Sequence, residues 1–475
     1  MGKRRDSVLG WLGPLAILSC AVGESFSKLM MDKRKKYILG VVVLLLAGIF
    51  AFPAALRAIP PRYAARWLPA PLLAIASPQQ EVAILPTVAQ PLNVDSLLAE
   101  PTALAAPVIE VIEPTAALSS PEPTAVAAET AVPPTATPTQ IPTATAVPIP
   151  AAARLEGIQH QFQEWNNCGP ATMAMTLSYF DLFLTQTDTA AVLKPNPEDR
   201  NVSPDEMAAY VNEQTPLQAI ERVNGRIEML KQFVANGIPV IVEIGIDPPG
   251  EYRWLGWYGH YLLVVAYDDA NEQFFVYDSW FGTSDVPNEN ADRNGRKLSY
   301  ADVETYWPQF NRSYIAVYPP EEAQTVARIV GEDMDDTVMW THSLLQAQTD
   351  AAASPENAFF WFNLGTSYNA NGNFERASAA FDQARAIGLP WRMLWYQFGP
   401  YEAYYQVGRY EDVILLADVT LKDRPYFEES FYYKGLALAA TGETAVAAEN
   451  LEKAAAFNPN FAPAVVALAE LDSNQ

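Results

Sequence analysis

The sequence predicts an α+β domain followed by an all-α solenoid. In the α+β domain an early helix carries a cysteine, and an antiparallel sheet carries a histidine and an aspartate. A transmembrane helix and a disordered stalk are expected ahead of both. Three observations lead there. A charge-free apolar run, Tyr37–Leu56, precedes a long tract rich in Pro, Thr and Ala. Between 151 and 320, segments of helical and of strand period alternate with turn signals. From 355 onward, aromatic and small residues recur at a repeat length of about 34.

Composition bounds the rest. A chain of 475 residues, half of them hydrophobic, has room for several domains with real cores. The net charge of −24 repels phosphates and excludes nucleic acid as a partner. There are two cysteines, Cys20 and Cys168, and three histidines, His160, His260 and His342. Cys20 lies before the apolar run, so no disulfide framework holds the globular part. The spacing of a cysteine metal cluster is absent, and neither a metal nor an organic cofactor is expected.

Residues 1–36 read as a cytoplasmic N-terminus, with translation starting at Met1 or at Met30 or Met31. Lys33–Lys36 form a basic block and the 20 residues 37–56 carry no charge, the length and flank of a single-pass membrane anchor. A cleaved signal peptide is the alternative. With the basic end inside, everything after 57 lies outside the cytoplasm. Residues 57–150, with TAVPPTATPTQIPTATAVPIP at their end, have little to bury and read as an extended stalk.

In 151–320 helices are expected over Ala171–Phe180, Pro204–Asn212 and Arg226–Asn236, the last ending at Gly237. Strands are expected over Pro239–Ile246, His260–Asp269, Gln273–Trp280 and Arg312–Tyr318. Ala270–Glu272 is a hairpin-sized loop between the second and third. Residues 321–354 read as a helical connector, with a helix over Val338–Thr349. In 355–475, Trp361, Leu364, Gly365, Tyr368, Ala377, Phe381 and Ala384 fall at tetratricopeptide (TPR) positions, as do Phe431, Gly435, Leu438, Ala447, Leu451 and Ala454. A middle unit, Trp391–Leu421, keeps Tyr404, Val413 and Ala417 in register and has two extra residues near Leu389 and Pro390. These segments resemble TPR repeats, which implies a groove for a protein partner or peptide.

The chemistry centres on QEWNNCGPATMAM, from Gln163. Asn167 is suited to cap a helix and Pro170 to its first turn. Cys168 then sits at the positive end of the helix, where a thiolate is favoured and a backbone N–H is offered to an oxyanion. A thiolate needs a base, and the base needs an acceptor to orient it. His260 begins one strand and Asp278 ends the next, so a hairpin brings them close, with pairing parity fixed only to within a residue. Asp268 and Asp269 remain alternatives for the acid, and His160 is the rival base. Gln163 can reach back to a developing oxyanion.

Gln163 with Asn167–Pro170, then Gly259–Val265, then Tyr277–Trp280, resemble a papain-superfamily cysteine peptidase. The nearest branch is the bacteriocin-processing peptidases, family thirty-nine of the cysteine peptidases, in their broader "like" subfamily. The resemblance implies a papain-like fold, Cys168 as nucleophile, His260 as general base and acid, Asp278 to orient it and Gln163, rather than Gln161, for the oxyanion hole. Ala266 and Ser279 depart from the family's glycine and proline. A chain without a transporter, facing outward, does not inherit the family's double-glycine substrate. The expectation is a membrane-tethered peptidase acting on a peptide or protein. The alternatives are a non-catalytic adaptor on the same scaffold and a papain-superfamily cell-wall hydrolase.

Overall fold

A computed structural model describes residues 33–57, scattered positions between 68 and 86, 95–98, and 149–473 apart from 248–255 and 284–293. The chain divides into two compact units, 1–80 and 81–475. In the first, helix α1 (Lys33–Arg57) covers the stretch expected to span a membrane. Ile38, Val41, Val42, Val43, Leu46, Phe50 and Phe52 on it are exposed. Several of its other side chains lie outside the described residues. Among the described residues no helix is long and apolar enough to cross a membrane.

The second unit begins with a correction to the stalk. Most of 57–150 lies outside the described residues, but Leu85, Pro86 and a helical turn, α2 (Asp95–Leu98), are packed into the C-terminal helices. Leu85 and Leu97 are apolar enough to be buried, which a reading by average composition overlooks.

A seven-stranded antiparallel sheet follows. Its strands are β1 (Ala152–Arg154), β2 (Gln218–Arg222), β3 (Val240–Ile246), β4 (Tyr258–Asp268), β5 (Gln273–Asp278), β6 (Arg296–Ser299) and β7 (Tyr314–Tyr318). The order is β2-β7-β3-β4-β5-β6, with β1 pairing the end of β4. β3 and β4 are buried nearly end to end, so both faces of the sheet carry apolar layers. One face packs α3 (Cys168–Ser178), α4 (Gln186–Leu193) and α5 (Pro204–Gln214), through Met173, Leu177, Met207 and Val211 against Ile241, Leu263 and Val317. The other packs α6 (Ile227–Ala235), through Leu230 and Phe233 against Val242, Val264 and Ala316. β1, β2, β6, α4 and the short helix α7 (Tyr300–Tyr306) were not foreseen. They are too short, or too polar at the sheet edge, to show a period.

Beyond β7, α8 (Ala323–Val330) and α9 (Asp336–Ala353) lead into an array of helices. These are α10 (Ala358–Ala370), α11 (Phe374–Ile387), α12 (Gly399–Gln406), α13 (Tyr410–Asp423), α14 (Glu428–Ala440), α15 (Thr444–Phe457) and α16 (Ala462–Ser473). Within each pair a three-residue turn holds a glycine at positive φ, Gly372, Gly408 and Gly442, a conformation that closes a helix at no steric cost. The spacings, 36 and then 34 residues, place the two extra residues in the middle unit. There the unit that begins at Trp391 does not open on a single helix. A 3-10 turn, Trp391–Trp395, is followed by a fresh start at Gly399. Pro400 fits only a first helical turn.

The helical array is not a separate body from the sheet domain. Trp257 stacks on Phe310 of the sheet domain and on Phe359 of α10, at 5.8 and 5.6 Å, and meets Tyr396 edge-on at 5.9 Å. Asn363 Nδ2 donates to the Pro308 carbonyl at 2.6 Å, and Arg312 pairs with Asp350 at 2.7 Å.

Candidate active site

Cys168 opens α3, an eleven-residue helix in which every later residue is buried. Pro170 lies in its first turn as expected. Asn167 holds the N-cap position without capping. Its side chain donates instead to Gln186 Oε1 at 3.2 Å. The loop ahead of the cysteine is tied from several sides. Lys194 Nζ donates to the carbonyls of Trp165 and Asn166 at 3.2 and 3.0 Å, and Arg200 Nη1 donates to Asn166 Oδ1 at 2.7 Å. Asn166 itself is left-handed, at φ 55°. Gln186 Nε2 donates to the Phe162 carbonyl, and its Oε1 accepts from the Glu164 N–H.

The hairpin brings histidine and aspartate together. His260 Nε2 lies 2.8 Å from Asp278 Oδ1, both side chains buried. Regular pairing from the turn (Asp268 with Gln273) would set Asp278 opposite Leu263, on the face away from His260. A β-bulge between Val264 and Ala266 moves the register by one, so Asp278 sits opposite Leu262. Side chains alternate across a strand, and this single extra residue puts His260 and Asp278 on one face. Asp278 is further held by Arg296 Nη1 at 2.7 Å on Oδ2 and by the N–H groups of Trp280 and Phe281 on Oδ1, at 2.8 and 3.0 Å.

With Nε2 committed to Asp278, Nδ1 is the ring nitrogen left to His260, and the ring lies close enough to Cys168 for each group to shift the other's proton affinity. Burial alone would raise the Cys168 thiol, but His260 brings it below its ordinary value. Burial would lower His260, yet Asp278 and Cys168 carry it up to about 10. Asp278 is opposed by burial and still held well below the carboxylate range, first by His260 and then by Arg296. The three groups therefore favour a thiolate–imidazolium pair with an ionised acid behind it. Nearby Glu243, buried on β3, is pushed well up by desolvation and then by Cys168, which favours its neutral form.

Gln163 is joined to the same strand end. Its N–H donates to the Ser279 carbonyl at 2.7 Å, and its Oε1 accepts from Ser279 Oγ at 2.8 Å, leaving the Nε2 group for another acceptor. The serine that departs from the family pattern thus gives this glutamine an anchor. His160 does not compete. Its Nε2 lies 2.9 Å from the Asp278 carbonyl, and burial lowers its pKa. Asp268 and Asp269 sit at the turn, where Asp268 binds Asn271 and Asp269 pairs with Lys231. Arg296, Lys194 and Gln186 escaped the sequence reading, because each acts on a group far off in the chain and stands in no motif. So did Tyr396 of the array, whose ring lies against Gly259 beside His260. Among the described residues no group of three or more His, Cys, Asp or Glu is placed to hold a metal ion.

Residues 155–315 match the Peptidase_C39 like family. The matched span, about a third of the chain, forms a C39-like domain with the antiparallel sheet described above. Among solved structures, one described as a C39-like peptidase from Bacillus anthracis is 16% identical. It aligns with 35% of this chain and 96% of its own, at a TM-score of 0.27. MamA from Desulfovibrio magneticus RS-1, residues 41 to the end, is 14% identical over 32% of this chain and 84% of its own, at a TM-score of 0.27. No curated protein matches the chain.

Proposed function

We propose that this chain is a membrane-tethered cysteine peptidase with its folded unit outside the cytoplasm. Cys168 attacks the carbonyl carbon of a peptide bond. His260 protonates the departing amine, and the acyl-enzyme is then hydrolysed by water that His260 deprotonates. Asp278 fixes the imidazole, and Gln163 with the Cys168 N–H holds the oxyanion. The observation that carries this reading is a cysteine at a helix start beside a buried histidine whose Nε2 is 2.8 Å from a buried aspartate. The C39-like domain at 155–315 supports the same class of substrate, a peptide or protein. The helical array, read as TPR repeats on its small-residue positions and turn glycines, holds that substrate or a protein partner. The tether rests on the uncharged run at 37–56 and the exposed apolar side chains of α1.

The test is a peptide-library digest by the full chain beside its Cys168→Ala form, with iodoacetamide labelling of Cys168 at neutral pH. Cleavage by the native chain alone, and labelling faster than in the denatured chain, are expected. Identical fragment patterns and equal labelling rates would leave a non-catalytic adaptor.

A further inference from the structure

The helical array already holds a peptide-like segment, and that segment belongs to this chain. Leu85 is 1% exposed and Leu97 is 2% exposed, and both lie in one apolar cluster with Trp361, Phe381, Leu389 and Met393. The contact is also polar and addresses the backbone. The Leu85 N–H donates to the Leu389 carbonyl at 3.3 Å, and Arg385 Nε donates to the Pro86 carbonyl at 2.8 Å. The Tyr368 hydroxyl donates to the Leu97 carbonyl at 2.6 Å, joined there by Gln348 Nε2 at 3.4 Å.

The array is shaped for such a guest. Arg385 and Tyr368 are each 1% exposed. Arg385 Nη1 is used within the array, on the Tyr404 hydroxyl at 2.9 Å and on Asp412 at 3.4 Å. Its Nε finds its acceptor in Pro86, outside the array. A buried donor left unmatched is costly, more so when charged. The groove therefore calls for a main-chain carbonyl at this point and apolar side chains on either side of it.

We propose that the array is a receptor for a leucine-bearing segment read through its backbone carbonyls, and that Leu85–Pro86 and Asp95–Leu98 occupy it in cis. A partner with the same features, two leucines about twelve residues apart, takes the site only by displacing them. This deepens the reading of the array as a binding module and is independent of the cysteine chemistry.

The test uses a fluorescent synthetic peptide of residues 83–99, with the full chain and its Leu85→Ala, Leu97→Ala form. A groove occupied in cis lowers the apparent affinity for a competitor in proportion to the free fraction. The substituted chain is expected to bind the peptide about tenfold or more tightly than the native chain. In the native chain the Leu85 amide should exchange with deuterium about 100-fold more slowly than a free-chain amide. Equal affinity for the two chains, or binding by neither, overturns the proposal. So does free-chain exchange at Leu85, a readout that needs no variant. Iodoacetamide labelling of Cys168 in the same samples reports separately on the peptidase reading.

Discussion

Asp278 is the side chain on which the site's electrostatics turn. It is fully buried and accepts from His260, Arg296 and two backbone N–H groups. Replacing it with Asn keeps the shape but removes the charge that holds the imidazole. Asp278→Asn is expected to lower kcat/KM by about 10²–10⁴-fold, read with any peptide the digest yields. The pH dependence follows with a definite sign. His260 is raised from 6.5 to about 10, so its contribution to stability is complete below 6.5 and is lost as pH rises through about 10. Asp278 is depressed below 3.8, so its contribution is present above that value and is lost as pH falls through its native value. Denaturant midpoints measured from pH 4 to 10.5 should decline toward the alkaline end, and His260→Ala should flatten that decline. The Cys168 alkylation rate should stay high below pH 9, the ordinary value for the thiol, until His260→Ala restores a free thiol's profile. Cys168, His260, Asp278 and Gln163 were singled out because their residue types stand in short motifs. Arg296 and Ser279 Oγ were not, because nothing local distinguishes an arginine that folds back on a carboxylate 18 positions away.

Elements repeat this division. β3, β4, β5 and β7, with α3, α5 and α6, were readable from apolar period and from Gly and Pro at their ends. The bulge at Val264/Ala266 was not, yet it decides which face Asp278 shares. A bulge is a property of two strands and their turn together, and one strand's pattern does not encode it. The array shows the opposite case, in which one small residue records a packing contact. A Cβ at Gly365 would lie 2.6 Å from the Phe381 ring, and one at Gly435 would lie 2.8 Å from Leu451 Cγ. Alanine is normally the better helix residue by about 1 kcal/mol. Here Gly365→Ala is expected to destabilise the array by about 1–3 kcal/mol, because a buried aromatic ring cannot turn aside. Gly435→Ala should cost less, since the Leu451 branch can rotate away. Urea midpoints of the two variants decide the order, and a stabilised Gly365→Ala would mean that α10 and α11 do not approach as described.

Taken whole, residues 81–475 form one unit, and its sheet domain and helical array share a core around Trp257. A boundary at 320 leads one to expect two domains that unfold separately. A shared apolar cluster, reinforced by Asn363 on the Pro308 carbonyl and Arg392 on the Trp257 carbonyl, leads to one cooperative transition. Trp257 is 7% exposed and touches Phe310, Phe359 and Tyr396. Truncating a buried aromatic costs about 3–5 kcal/mol. Trp257→Ala should therefore lower stability by that order and split the melting curve into two steps, the sheet domain parting from the array. The consequence reaches the site, because Tyr396 of the array lies against Gly259, next to His260. Loosening the junction should slow Cys168 alkylation even though Trp257 does not touch the sulfur. A variant that melts in a single unshifted transition, with Cys168 as reactive as before, would show that array and sheet domain meet without supporting each other.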